Sequence, residues 1–390
     1  VSVALAVPGD APVLFEERPT LHGRKIGIAT LNSPKTLNGF SLQMSHLLDD
    51  KLINWLQDPA IAVVVLQAAG EKAFCAGGDL HALYKSMVDF RARGDTDVRA
   101  NLYAAEFFSH EYRLDYRIHT STKPVLCWGH GIVMGGGIGL MGGASHRVVT
   151  ERSKVAFPEI SVGLYPDVGG SWILNRVPDG AGLFLGLTGA PLNANDAIYA
   201  GLADCLIEEE KRGAVLDALL EVAWSDNPDT ARSQLDGVLQ AFRAEPGDGP
   251  LQRHREQLAH VVHHDSLEVV VEAIAAISDE DPWLVTAKKN LAAGAPSTAR
   301  LTYELHHRTR SMSLADVYRL ELLVSLKCAA HGDFAEGIRA ILIDKDRNPH
   351  WRPATLVEAS HDWVQDFFKA PWKESEHPLA DLGQDHDVRR

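Results

Sequence analysis

Residues 62–66 read Ala-Val-Val-Val-Leu, five apolar positions without a polar interruption. A run this short and this rich in β-branched side chains predicts a buried strand. Similar strand signals occur at residues 25–31, 123–128 and 147–150, and glycine-rich turns follow several of them. Residues 41–57 carry helical periodicity, which Asp58-Pro59 ends. Strand, turn and helix in repeated succession predict an α/β layer structure. The pattern changes from Val215 onward, where helical periodicity dominates. It is broken by Glu245-Pro246-Gly247-Asp248-Gly249-Pro250, then resumes near Leu251 and continues through residues 267–277, 283–293 and 314–331. The polar end, residues 378–390, is expected to fray.

A chain of 390 residues suits two domains, or one large domain with an appendage, and can bury a core without metals or disulfides. The formal net charge of -14 argues against nucleic-acid and anionic-membrane partners, which need clustered Lys and Arg. A phosphorylated ligand held by a few local cations is still compatible with it. Cys75, Cys127, Cys205 and Cys328 are widely spaced, so neither a zinc site nor a disulfide framework is expected, and a reducing cytoplasm fits. Residues 1–12 contain no Lys or Arg, which predicts no signal or transit peptide. No apolar run approaches the ~20 residues that span a bilayer.

Three motifs could carry chemistry. The first, Ala76-Gly77-Gly78-Asp79, follows a buried strand closely; adjacent glycines let backbone approach a ligand, although Asp79 could simply cap the next helix. The second, Gly135-Gly136-Gly137, precedes an apolar helix and places N–H groups where negative charge is favoured, or else makes room for close packing. The third runs from Phe157 to Gly170 and holds Glu159 and Asp167 among apolar residues. Burial raises carboxylate pKa values and suits them to proton transfer or attack. A helix cap for Glu159 and an Asx-turn for Asp167 are the simpler alternatives.

Gly137, Gly139 and Gly142 satisfy GxGxxG formally, but the strand near Arg147 arrives too soon for the helix a dinucleotide fold requires. Neither GxSxG nor a Walker A motif occurs. His260, His263, His264 and Asp265 read as a solvated helix face rather than a metal cluster, and residues 208–211 as a surface charge run.

Taken in order, Asn32-Ser33-Pro34-Lys35-Thr36-Leu37-Asn38, AFCAGGDL, KPVLCWGHGIVMGGGIGL and FPEISVGLYPDVGG resemble the crotonase (enoyl-CoA hydratase/isomerase) superfamily. MGGGIGL, PEISVGLYPDVGG, LTGAPLNANDAIYAGLAD and DFAEGIRAILIDKDRNPHW are closest to its 3-hydroxyisobutyryl-CoA hydrolase branch. The resemblance covers most of residues 20–356. It implies a crotonase-like spiral of ββα units over residues 15–205, binding acyl-CoA, and a mostly helical region over residues 206–390 that completes or covers the site. It implies an oxyanion hole formed by the backbone N–H groups of Gly78 and Gly136, with Gly77 and Asp79 beside the substrate. It matches Glu111 to a glutamate near the substrate and, less closely, Lys35 and Leu37 to contacts with coenzyme A.

The departures point to a reaction. Hydratases of the superfamily carry a glutamate where this chain has Gly139, and often a glycine where it has Asp167. The pair Glu159 and Asp167 matches the hydrolase branch. The expected activity is hydrolysis of a short-chain 3-hydroxyacyl-CoA, such as 3-hydroxyisobutyryl-CoA in valine breakdown. Glu159 would act as nucleophile or general base. Asp167 would orient a hydroxyl or a water, or protonate the leaving thiolate. No metal or redox cofactor is expected, since coenzyme A belongs to the substrate. Enoyl-CoA hydratase or isomerase activity, a catalytically silent acyl-CoA scaffold, and homo-oligomerisation stay open.

Overall fold

The computed structural model describes residues 10–384. Nine strands make two sheets among them. The larger has the order β1 (Val13–Pro19), β2 (Lys25–Leu31), β3 (Ile61–Ala68), β5 (Val125–Gly129), β7 (His146–Val149) and β9 (Cys205–Leu206); all pairs are parallel except β1 with β2. The smaller is parallel throughout, in the order β4 (Ala73–Cys75), β6 (Ile132–Met134) and β8 (Lys154–Ala156). β3, β5 and β7 are each followed, after a tight turn, by a short strand in the second sheet. Three such pairs stack as turns of a spiral, as the sequence predicts.

The apolar run at 62–66 is explained by burial on both faces. Val63 and Val65 point with Ile26, Ile28 and Trp128 toward the helices Arg212–Glu221 and Pro228–Gln240. Val64 and Leu66 point with Ala29 and Leu31 into the main core. Burying each such side chain contributes roughly 1.5–3 kcal/mol. Helix α1 (Leu42–Gln57) starts where Ser41 accepts from the Met44 N–H and stops before Asp58-Pro59. Helices α2 (Leu80–Ala92), α3 (Leu102–His119) and α4 (Gly136–Gly142) follow. The seven residues of α4 leave no room for a dinucleotide-binding helix.

Beyond β9 the described chain is helical. The 18-residue helix Leu314–His331, capped by Ser313, packs against α3, and one apolar core runs from Val13 to Leu382. The helix Pro296–Arg308 lies between the segments singled out from sequence, inside the region expected to be mostly helical. The end of the chain also differs from expectation. Leu379 and Leu382 are buried, Asp381 takes a two-pronged contact from Arg113 at 2.6 and 2.9 Å, and Arg319 donates to the carbonyls of Leu379 and Leu382. Apolar anchors and buried-facing arginines outweigh the polar composition there. Residues 385–390 lie outside the described chain, as do most of the residues read for a leader.

Candidate active site

The three short parallel strands all end at one edge, and each delivers one of the motifs. After β4 the chain turns through Gly77 (φ +117°), a conformation that favours glycine. The turn is clamped from outside: Phe40 N–H donates to the Gly77 carbonyl at 2.7 Å, and Asp79 N–H donates to the Phe40 carbonyl at 2.8 Å. The Gly78 N–H takes no part in this clamp. After β6, Gly135 (φ +48°) turns the chain so that Gly136 opens α4. At that first helical position an N–H has no acceptor within its own helix. A Cβ built on Gly136 would lie 3.7 Å from the Gly78 nitrogen, so the two amides are neighbours.

The glycines also make room for carboxylates. A Cβ on Gly135 would meet Glu159 Oε1 at 3.2 Å, and one on Gly136 would meet Glu111 Oε1 at 2.7 Å. Glu159 opens a short turn after β8; it is 4% exposed, and its Oε2 has no hydrogen-bond partner among the described residues. Glu111 comes from the buried face of α3. Asp167 lies on the loop before α5 (Gly170–Leu174), and its Oδ2 lies 2.7 Å from the Tyr112 hydroxyl. That loop is pinned by Glu321 of the helix Leu314–His331, which accepts from the N–H of Gly169 and from both the N–H and hydroxyl of Ser171 at 2.6–3.1 Å.

These groups border a cavity of about 100 Å³ that is otherwise apolar, with Leu83, Phe108 and Phe334 on its walls. This is small beside the ~300–1,000 Å³ of drug-sized pockets and suits a short acyl group. Burial pushes the carboxyls of Glu111 and Glu159 well above their usual range, and the charge of Asp167 adds to both. Burial raises Asp167 to about 6, against the pull of the Tyr112 hydrogen bond. Cys75, although it borders the AGGD turn, is raised to about 12 by burial and is no nucleophile.

Of the residues singled out from sequence, Gly77, Gly78, Glu111, Gly136, Glu159 and Asp167 all border this cavity. Asp79 does not; it caps α2, accepting from the Ala82 N–H at 3.5 Å. Lys35 and Leu37 sit outside it on the loop that clamps the Gly77 turn. Lys35 is exposed, and the Leu37 backbone is engaged internally, with its N–H on the Pro34 carbonyl and its own carbonyl accepting from Ala76.

A family model described as enoyl-CoA hydratase/isomerase matches residues 26–368. The chain belongs to the enoyl-CoA hydratase/isomerase family. Two curated relatives are named 3-hydroxyisobutyryl-CoA hydrolase, mitochondrial: that of Gallus gallus is 35% identical over 88% of this chain and 86% of its own, and that of Danio rerio 34% identical over 89% and 87%. Two solved structures superpose with a TM-score of 0.79. An enoyl-CoA hydratase from Rhodobacter sphaeroides 2.4.1 is 31% identical, covering 93% of this chain and 98% of its own. A carnitinyl-CoA dehydratase from Mycobacterium thermoresistibile is 33% identical, covering 91% and 96%.

The names of the curated relatives of this family member overturn the cytoplasmic expectation, because they place those proteins in mitochondria. The four cysteines are free and buried, which indicates reduced thiols but does not distinguish one reducing compartment from another. No helix among the described residues is long and apolar enough to cross a membrane.

Other groups escaped the sequence reading. At Gly139, where family hydratases carry a glutamate, the space is filled from α3: a Cβ there would meet Asp115 Oδ2 at 2.5 Å. Asp115 is fully buried, neither oxygen has a hydrogen-bond partner among the described residues, and it does not border the cavity. Glu111 and Asp115 are one helical turn apart, as are Glu321 and Ser325. Polar pairs at i, i+4 on otherwise apolar helix faces were the available signal. Away from the cavity, His46, Glu106 and His110 lie close enough together to share an ion.

Proposed function

We propose that this chain hydrolyses a short-chain 3-hydroxyacyl-CoA, with 3-hydroxyisobutyryl-CoA as the first candidate. The single observation that carries this is the juxtaposition of two neighbouring glycine amides with the buried carboxyls of Glu159 and Asp167 around one small cavity. The names of the curated relatives support the same substrate class.

In this reading the thioester oxygen sits between the N–H groups of Gly78 and Gly136, which stabilise the oxyanion as it forms. Glu159 takes a proton from water as the water oxygen bonds to the carbonyl carbon, or it attacks that carbon itself and the resulting anhydride is then hydrolysed. The tetrahedral species collapses by breaking the C–S bond. The electron pair leaves on sulfur, which gains a proton to become the thiol of coenzyme A. Glu111 closes the acyl side of the cavity. Phe334, from the region after residue 205, supports the division into an acyl-CoA-binding core at 15–205 and a helical region at 206–390 that completes the site.

Hydration of an enoyl-CoA is favoured less. Its second glutamate would come from position 139, and the carboxyl that fills that space, Asp115, lies behind the cavity wall. Thiol release from a panel of saturated 3-hydroxyacyl-CoAs, run beside hydration of crotonyl-CoA, separates the two. Thiol release with 3-hydroxyisobutyryl-CoA among the best substrates is expected. Hydration without thiol release would refute the assignment.

A further inference from the structure

The carboxyl of Asp167 heads a continuous chain of hydroxyls. Its Oδ2 lies 2.7 Å from the Tyr112 hydroxyl, which lies 2.7 Å from Ser325 Oγ. Ser325 Oγ lies 2.7 Å from the Tyr165 hydroxyl, which lies 2.7 Å from the backbone carbonyl of Glu321. Tyr112, Tyr165 and Ser325 are fully buried.

Four links need four protons, and the three hydroxyls own one each. The far end fixes the direction, because a carbonyl can only accept. Tyr165 therefore donates to Glu321, Ser325 to Tyr165, and Tyr112 to Ser325. Nothing is left for the link between Tyr112 and Asp167 unless the carboxyl supplies the proton. With Asp167 ionised, one link in the chain has lone pairs facing each other at hydrogen-bond distance, away from water that could relieve them.

We propose that Ser325 and Tyr165 are positioning residues that draw the Tyr112 hydroxyl proton away from Asp167 and so hold a proton on its carboxyl, so that Asp167 enters the reaction as the acid for the leaving sulfur. The proposal rests on the thioesterase reading above. Half a turn of the carboxyl about its Cβ–Cγ bond presents the O–H to the cavity. As the C–S bond breaks, that proton passes to sulfur and Asp167 is left as a carboxylate, which regains a proton from water before the next turnover.

The surroundings agree. The acids facing Asp167 are Glu111 and Asp115 of α3, Glu159 after β8, and Glu321 of the helix Leu314–His331, and the charges acting most strongly on these four are carboxylates. The other titratable neighbours besides the chain itself are Tyr318 and Cys328, both raised by burial. No cation offsets an ionised Asp167 among these groups. A neutral Asp167 also removes the charge that acts most on Glu159, freeing Glu159 to be the base.

The variants have opposite signs. Ser325→Ala cuts the chain, letting Tyr112 donate to an ionised Asp167 while Tyr165 keeps its carbonyl. Tyr165→Phe has the same effect, because Ser325 then donates to Tyr112 and Tyr112 to Asp167. In both, the basic limb of kcat/KM for thiol release moves down by roughly 0.5–1 pH unit. Tyr112→Phe removes the donor that an ionised Asp167 would use, and moves that limb up. Shifts of one sign in all three, or none, would overturn the proposal. Infrared spectroscopy tests it without turnover: the wild-type protein at pH 6 should show a protonated-carboxyl stretch that Asp167→Asn removes and Ser325→Ala weakens. Lack of that band overturns the chain, whereas lack of thiol release with the band present overturns only the thioesterase reading.

Discussion

The glycine turns after β4 and β6 border the cavity directly, the helix Leu314–His331 stands behind the loop that carries Asp167, and the two are built by opposite means. The glycine side is backbone. Its amides stand in position because short parallel strands end at one edge, and because the glycines leave space for Glu159 and Glu111. The helix side is side chain. Glu321 pins the loop after Asp167 with three accepted hydrogen bonds, and Ser325 joins Tyr112 to Tyr165. Fixed dipoles stabilise charge wherever it appears and need no proton of their own. A network of hydroxyls and carboxyls does need protons, so its behaviour depends on pH. On the proposed mechanism, oxyanion binding falls to the first side and proton control to the second.

The largest test falls where the glycine side meets the chemistry. Glu159→Gln keeps shape and removes basicity, and kcat for thiol release should fall by ~10²–10⁴-fold while acyl-CoA still binds, as calorimetry would show. Near-normal turnover would remove Glu159 from the mechanism. Next comes Gly136→Pro. Proline is accepted at a first helical position, and it deletes the N–H. Its ring carbon must displace the tip of Glu111, which a Cβ approaches to 2.7 Å, so Glu111→Gln serves as the control for that disturbance. A fall in kcat of ~10²–10³-fold beyond the control, with coenzyme A affinity held, is the expected outcome. Affinity falling in step with rate would mean that this amide binds ground state and transition state alike.

The two sides also differ in how far sequence revealed them. Gly77, Gly78, Gly135 and Gly136 stand next to the strands that aim them, so local pattern was enough to mark them. Glu159 and Asp167 stood out as acids among apolar neighbours and as the pair that separates the hydrolase branch from hydratases. Nothing local marks Ser325 or Glu321. Their partners lie 150 to 213 residues away, and on the page they are two polar letters in a helix that reads as ordinary core. Tyr112 sat beside the noted Glu111, yet its role appears only when Ser325 arrives from the other region. Composition misled at the chain end and on the compartment, because neither polarity nor unpaired cysteines report what a segment packs against or where the protein resides.

The smallest effect bears on the helix side alone and concerns stability. Glu321 is fully buried, and burial raises its carboxyl from 4.5 to about 8, with the Ser171 hydrogen bond pulling the other way. Asp167 is raised from 3.8 to about 6 by the same cause. Between its unfolded and folded values each group keeps a proton in the native protein that the unfolded chain has released. The native state then binds more protons, so stability is fully present below the unfolded values and is lost as pH rises through the folded ones. Asp167 contributes mainly below about pH 6 and Glu321 up to about pH 8. One group supplies at most about 1.4 kcal/mol per pH unit. The urea midpoint of the wild-type protein should therefore fall from pH 6 to pH 8, with Glu321 one of the buried carboxyls that carry the decline. Glu321→Gln cannot titrate, so it should make that decline shallower by up to one proton's worth of slope, and below pH 6 it should keep only the part that Asp167 supplies by holding its proton in the folded state. Midpoints for wild type and variant at half-unit steps from pH 5 to 9 decide the matter. A variant that declines as steeply as wild type between pH 6 and 8 would show that Glu321 is already ionised in the folded protein. The three donors aimed at its oxygens would then have outweighed its burial, and proton control would rest with Asp167 and its hydroxyl chain alone.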